Sequence, residues 1–184
     1  KVSRLIKVQP DANRISIRQR IERTAESDIP VVLWNISQIS GADTVVLPTD
    51  KESAFDHGIK ALMFDLPPAP QLSACGASHV YAANAGGEHK LGSDSKRGWI
   101  AARKAGWLLV ERATMEDVGT HPDGGCTVEM YSNGGLGYTE IETLSVEKSL
   151  HAGESLQNTL TLECFPAPAT TNACDTANAV MTLL

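Results

Sequence analysis

The sequence predicts an all-β protein, an antiparallel β-sandwich with little helix, on three observations. Apolar and polar residues alternate in short runs along most of the chain, the period-two signature of strands with one buried face. Clusters of Gly, Pro, Asn and Asp break those runs at short intervals, as turns between antiparallel strands do. No self-similarity at a period of roughly 20–50 residues suggests a propeller or solenoid. At 184 residues the chain has the length of a single domain, with residues 165–184 read as a stapled C-terminal tail.

Taken in order, Arg4 to Val8 and Arg14 to Ile21 alternate around the Pro10-Asp11-Ala12-Asn13 turn and form a β-hairpin. One face of that hairpin carries Ile15, Ile17, Gln19 and Ile21, the other Arg14, Ser16, Arg18 and Arg20. Pro30 to Gln38 reads as a more buried strand, and Thr44 to Leu47 as a short one ended by Pro48. The segment from Asp50 to Asn84 gives a weaker strand signal, with an irregular Leu66-Pro67-Pro68-Ala69-Pro70 stretch, and Gly86 to Gly98 reads as a polar, Gly-rich loop. Trp99 to Ala102 and Trp107 to Arg112 make a hairpin across Lys104-Ala105-Gly106. Cys126 to Tyr131 and Tyr138 to Leu144 flank an Asn133-Gly134-Gly135 turn, and Ser155 to Phe165 is a long final strand. Helical spacing appears only in Asp175 to Leu184.

The formal net charge is −6, from 16 Lys and Arg against 22 Asp and Glu. The cations read as scattered rather than gathered into a phosphate-binding stripe, which argues against nucleic acid as a partner. No apolar run is long enough to span a membrane as a helix. Lys1 to Gln9 has no signal-peptide core, so export would mean a leader already removed from a longer precursor. The cysteines form neither a CxxC nor a Cys/His pair, against zinc and thioredoxin-type chemistry. Either all four are thiols, or the chain carries two disulfides in an oxidising compartment, secreted or periplasmic. In the second case Cys164–Cys174 is a C-terminal staple, leaving Cys75 and Cys126 to pair. The Asn35-Ile36-Ser37 glycosylation triplet lies within a strand and is discounted.

No nucleophile elbow or phosphate-binding loop occurs, the five histidines lack metal-ligand spacing, and nothing calls for a metal or another cofactor. The richest segment is Glu129 to Leu144. Alternation puts Glu129 and Tyr131 on one face of their strand, and Tyr138, Glu140 and Glu142 on one face of the next. If the two strands pair, three carboxylates and two tyrosines share a surface suited to sugar hydroxyls and to the apolar faces of sugar rings. Paired carboxylates also permit acid–base work once their pKa values separate; the alternative is acidic decoration of a solvated sheet. Trp99, after the Gly-rich loop, is a candidate site wall; Trp34 and Trp107 read as packing.

The segments PVVLWNISQI, LGSDSKRGWIAA, HPDGGCTVEMYSN, YTEIETL and LHAGES, in that order, resemble the galactose-mutarotase-like supersandwich family. The likeness is nearest to its uncharacterised sugar-binding-like members and corresponds to the C-terminal half of that fold. It implies a glutamate acting as general base at the anomeric hydroxyl, for which Glu142 is the match and Glu140 the fallback. The histidine that would protonate the ring oxygen has no counterpart in Leu33-Trp34-Asn35-Ile36-Ser37. The expected function is therefore a carbohydrate-binding or mutarotase-like domain without a complete catalytic set. The alternatives are an aldose 1-epimerase, and a structural subunit assembling into homo-oligomers or fibres through exposed strands.

Overall fold

The computed structural model describes residues 1–114, 119–169 and 172–184. Among these the chain forms two antiparallel sheets, one of eight strands and one of five, packed as a sandwich. The larger sheet runs β1 (Val2–Gln9), β2 (Arg14–Glu22), β13 (Ser155–Pro166), β10 (Trp107–Ala113), β9 (Trp99–Lys104), β4 (Thr44–Pro48), β7 (Ser78–Ala82), β6 (Leu72–Ala74). The smaller runs β3 (Trp34–Ser40), β12 (Tyr138–Leu144), β11 (Val128–Asn133), β8 (Glu88–Ser93), β5 (Lys60–Met63).

The hairpins expected at 4–21, 99–112 and 126–144 form with continuous registers. Two expectations need correction. The Gly-rich segment from Gly86 is not all loop, because Glu88–Ser93 is strand β8. The strand expected from Pro30 starts only at Trp34.

Between the sheets lies an apolar core of Val45, Leu47, Tyr81, Leu91, Ile100, Val128, Met130 and Ile141. Beside it, toward β2 and β3, the interior turns polar. The Asn35 amide donates to Thr143 Oγ1 at 3.1 Å, and Gln19 donates to Asn35. Ser37 and Thr143 donate their hydroxyls to Glu111 at 2.5 and 2.8 Å. A fully buried carboxyl is tolerated because both its oxygens are hydrogen-bonded; burial still pushes Glu111 up to about 7. Asn35, the glycosylation candidate, is buried in this layer.

The opposite face of the large sheet is covered near β7 and β9 by helix α2 (Ala173–Leu183); the preceding α1 (Pro122–Gly125) is a single turn. Asn172 caps α2 by accepting from the Cys174 N–H while Asp175 accepts from the Asn172 N–H, a reciprocal arrangement that satisfies free donors of the first turn. Ala177 and Val180 then pack onto Val46, Val80, Trp99, Leu108 and Val110. A disulfide joins Cys75 to Cys174 and ties this helix to the sheet edge at β6. The pairing expected from sequence is thus overturned. Cys164 lies on β13 and is exposed, Cys126 is buried, and both are free thiols.

Candidate functional site

The outer face of the five-stranded sheet collects the acidic residues. β11 and β12 pair with Glu129 opposite Glu142 and Tyr131 opposite Glu140. On either side β8 places Lys90 opposite Tyr131, and β3 places Gln38 opposite Glu140. The expected convergence of Glu129, Tyr131, Tyr138, Glu140 and Glu142 on one face is therefore what the registers give. Rings of Tyr131 and Tyr138 stand 5.9 Å apart.

Within that face the carboxylates divide by depth. Glu129 and Glu142 are buried, at 0 % and 1 % exposure. The Lys90 ammonium sits between them, 2.8 Å from Glu129 and 3.7 Å from Glu142. Neither Glu129 oxygen accepts a well-directed hydrogen bond among the described residues, so Lys90 holds it by charge. The Trp34 indole N–H donates to Glu142 at 2.6 Å, and Lys90 lies over the same indole ring at 4.7 Å, a favourable cation–π position. Glu140 stays at the surface, accepting from the Gln38 amide at 3.1 Å. Tyr131 donates to Glu88 at 2.8 Å and accepts from the Asn133 amide.

Electrostatics follow from this geometry. Burial pushes Glu129 up to about 7, opposed by Lys90 and reinforced by the charge of Glu142. Burial also raises Glu142, against the pull of Lys90 and the Trp34 hydrogen bond. For Lys90 burial works toward the neutral amine, yet the two carboxylates outweigh it and its pKa lies above the ordinary lysine value. Two acids facing one cation thus favour a state in which the pair retains a proton near neutral pH.

Gly92 lies in the same cross-strand row, between Lys60 on β5 and Glu129 on β11. A Cβ there would collide with Cys126 Sγ, so the row closes only around a glycine. Two clefts lie beside or away from this face. One cleft of about 200 Å³ at the sheet end is lined by Asp43, Asn84, Asn133 and Tyr138, and thus adjoins its tyrosine corner. Another of about 500 Å³ lies between His57, His79, Leu66 and Leu72. Among the described residues no group of three or more His, Cys, Asp or Glu is placed to hold a metal ion.

Trp99, expected as a site wall, is elsewhere: it is buried between β9 and α2. Trp34, expected in the core, supplies the indole of the cluster and is 38 % exposed, while Trp107, also expected to pack, lies exposed at the start of β10. Lys90 was hidden by the Gly-rich segment read as loop. Its signal was the alternation of Glu88, Lys90 and Gly92 against His89, Leu91 and Ser93.

No protein-family model matches the chain, and no curated protein matches it significantly.

Proposed function

We propose that the outer face of the five-stranded sheet binds a carbohydrate, with Trp34, Lys90, Glu140, Tyr131 and Tyr138 as the contact surface. The observation that carries this reading is the division of the acids by depth. Glu129 and Glu142 lie beneath Lys90 and Trp34, so they orient an ammonium and an indole, while Glu140 and Gln38 reach solvent. An aromatic face for sugar C–H groups, a carboxylate acceptor for hydroxyls and an ammonium donor then stand side by side. Glu142, the residue matching a general base, is too deep to meet a ring substrate without displacing Lys90 and Trp34. That favours binding over anomer interconversion.

Calorimetric titration with a panel of hexoses and short oligosaccharides tests this. Binding that is lost in Trp34→Ala and weakened in Glu140→Gln supports the reading; binding unchanged in both variants refutes it. The epimerase alternative requires polarimetric rates above buffer that fall in Glu142→Gln. The Cys75–Cys174 disulfide suits an oxidising compartment, in keeping with a secreted or periplasmic protein. No helix among the described residues is long and apolar enough to cross a membrane.

A further inference from the structure

Strand β1 forms one edge of the eight-stranded sheet, and all eight of its residues are exposed. The Lys1 ammonium donates to Glu22 O and the Glu22 N–H donates to Lys1 O, both at 2.8 Å. Lys1 and Glu22 are therefore a hydrogen-bonded pair. In the unbroken β1–β2 register the pairs Ser3–Arg20, Leu5–Arg18, Lys7–Ser16 and Gln9–Arg14 alternate with it. The N–H and C=O groups of Val2, Arg4, Ile6 and Val8 consequently point away from β2 along the free edge. The side chains of these residues share the face of Ile15, Ile17, Gln19 and Ile21, which turns toward the smaller sheet. That sheet ends at β3 and does not cover them: Val2, Ile6 and Val8 are each about 60 % exposed.

We infer that β1 pairs antiparallel with β1 of a second copy of this chain, about a two-fold axis through Leu5. Outward-pointing groups can pair only with outward-pointing groups, and this restricts the registers. With Leu5 opposite Leu5 of the second copy, Val2 meets Val8 and Arg4 meets Ile6, each as a hydrogen-bonded pair and each occurring twice. Ser3 meets Lys7, Leu5 meets its counterpart as the close non-hydrogen-bonded pair, and no like charges stand directly opposite. Sliding two residues one way sets Arg4 against Arg4. Sliding two residues the other way sets Ile6 against Ile6 and drops Val2 opposite Pro10, which has no N–H to give. The favoured register makes the most hydrogen bonds and avoids the charge clash. The contact is isologous and closes as a dimer rather than extending into a fibre.

Charge gives the dimer a signature. Seven of the sixteen lysines and arginines lie within residues 1–23, against only Asp11 and Glu22. The cations are thus concentrated on this hairpin, not scattered as the sequence alone suggested. Arg14 is held by Glu163 and Arg20 by Glu22, whereas Lys7 and Arg18 have no such partner among the described residues. Joining two copies brings like-charged hairpins together, so added salt, which screens them, should tighten the dimer.

The test is sedimentation equilibrium of the full chain over micromolar to millimolar concentrations, at low and high salt. The expected result is a concentration-dependent doubling of mass, stronger at high salt. In Ile6→Pro the lost N–H is one that β2 does not use, and proline is tolerated at such edge positions. This variant should keep the parent's circular dichroism and melting temperature yet sediment as a monomer. Leu5→Cys in a Cys164→Ser background should form an oxidised covalent dimer, and Ser3→Cys in that background should not. A parent that stays monomeric throughout, a dimer that survives Ile6→Pro, or equal cross-linking by both cysteines overturns the inference. Sugar binding at the outer face of the smaller sheet is measured separately and is unaffected by any of these outcomes.

Discussion

Replacing Glu111 by glutamine should flatten the dependence of stability on pH. In the folded protein its carboxyl is pushed from 4.5 up to about 7, chiefly by burial. A group whose folded pKa lies above its unfolded value binds its proton more tightly when folded. The stabilisation is therefore complete below about 4.5 and is lost as the pH climbs through about 7. A rise of roughly 2.5 pKa units at ~1.36 kcal/mol each amounts to about 3 kcal/mol. Full burial of Glu111 leaves little solvent screening to discount. Gln keeps one acceptor oxygen for these two hydroxyls and turns the other position into an N–H donor to the second hydroxyl, and it has no proton to lose. Urea unfolding midpoints at intervals from pH 5 to pH 8 provide the assay. The parent should lose stability across that range, and the difference between parent and Glu111→Gln should change by about 2.5 kcal/mol, the rest of the effect lying below pH 5. His79 is lowered by burial and opposes the trend, while Glu129 and Glu142 share it; His79 and Glu129 act in both proteins and cancel in the difference, whereas the charge of Glu142 is one of the smaller causes of the Glu111 rise and belongs to the effect being measured. A difference that stays constant with pH would refute the reasoning.

Two further outcomes follow from geometry already described. Lys90→Met leaves Glu129 and Glu142 face to face without their cation and should cost about 3 kcal/mol at neutral pH, with much of the loss recovered on acidification, as read by thermal melts at two pH values. Cys174→Ser opens a loop spanning 99 residues and should cost about 4 kcal/mol, and a reducing agent should destabilise the parent by a similar amount while leaving the variant unchanged.

Alternation made the sandwich legible because most strands have one buried face, and it placed Glu129, Tyr131, Tyr138, Glu140 and Glu142 together. It failed where the interior is polar or both faces are covered. On β3 the inward residues include Asn35 and Ser37 while Trp34 and Ile36 face out, so polarity gave the inverse of the true orientation. On β9 Trp99 and Ala101 face α2 while Ile100 and Ala102 face the smaller sheet, giving the unbroken apolar run of a strand buried on both sides. Nothing local marks Trp99 as lying under a helix that comes some seventy residues later. Depth was equally invisible: Glu140 and Glu142 are two residues apart on one strand, and only the neighbouring Lys90 and Trp34 separate the half-buried acid from the fully buried one. Disulfide connectivity lies beyond the sequence altogether, since Cys75 and Cys174 meet only because α2 returns to β6.

That return turns the chain into a covalent ring with two unequal arms. Everything from Cys75 to Cys174 lies inside the ring, including β7 to β13, while the hairpin of β1 and β2 and the strands β3 to β6 hang from one side of it. A protease that nicks a single bond within the ring produces two ends but no separate fragment until a reductant is added, whereas a cut between β2 and β3 severs the hairpin from the ring outright.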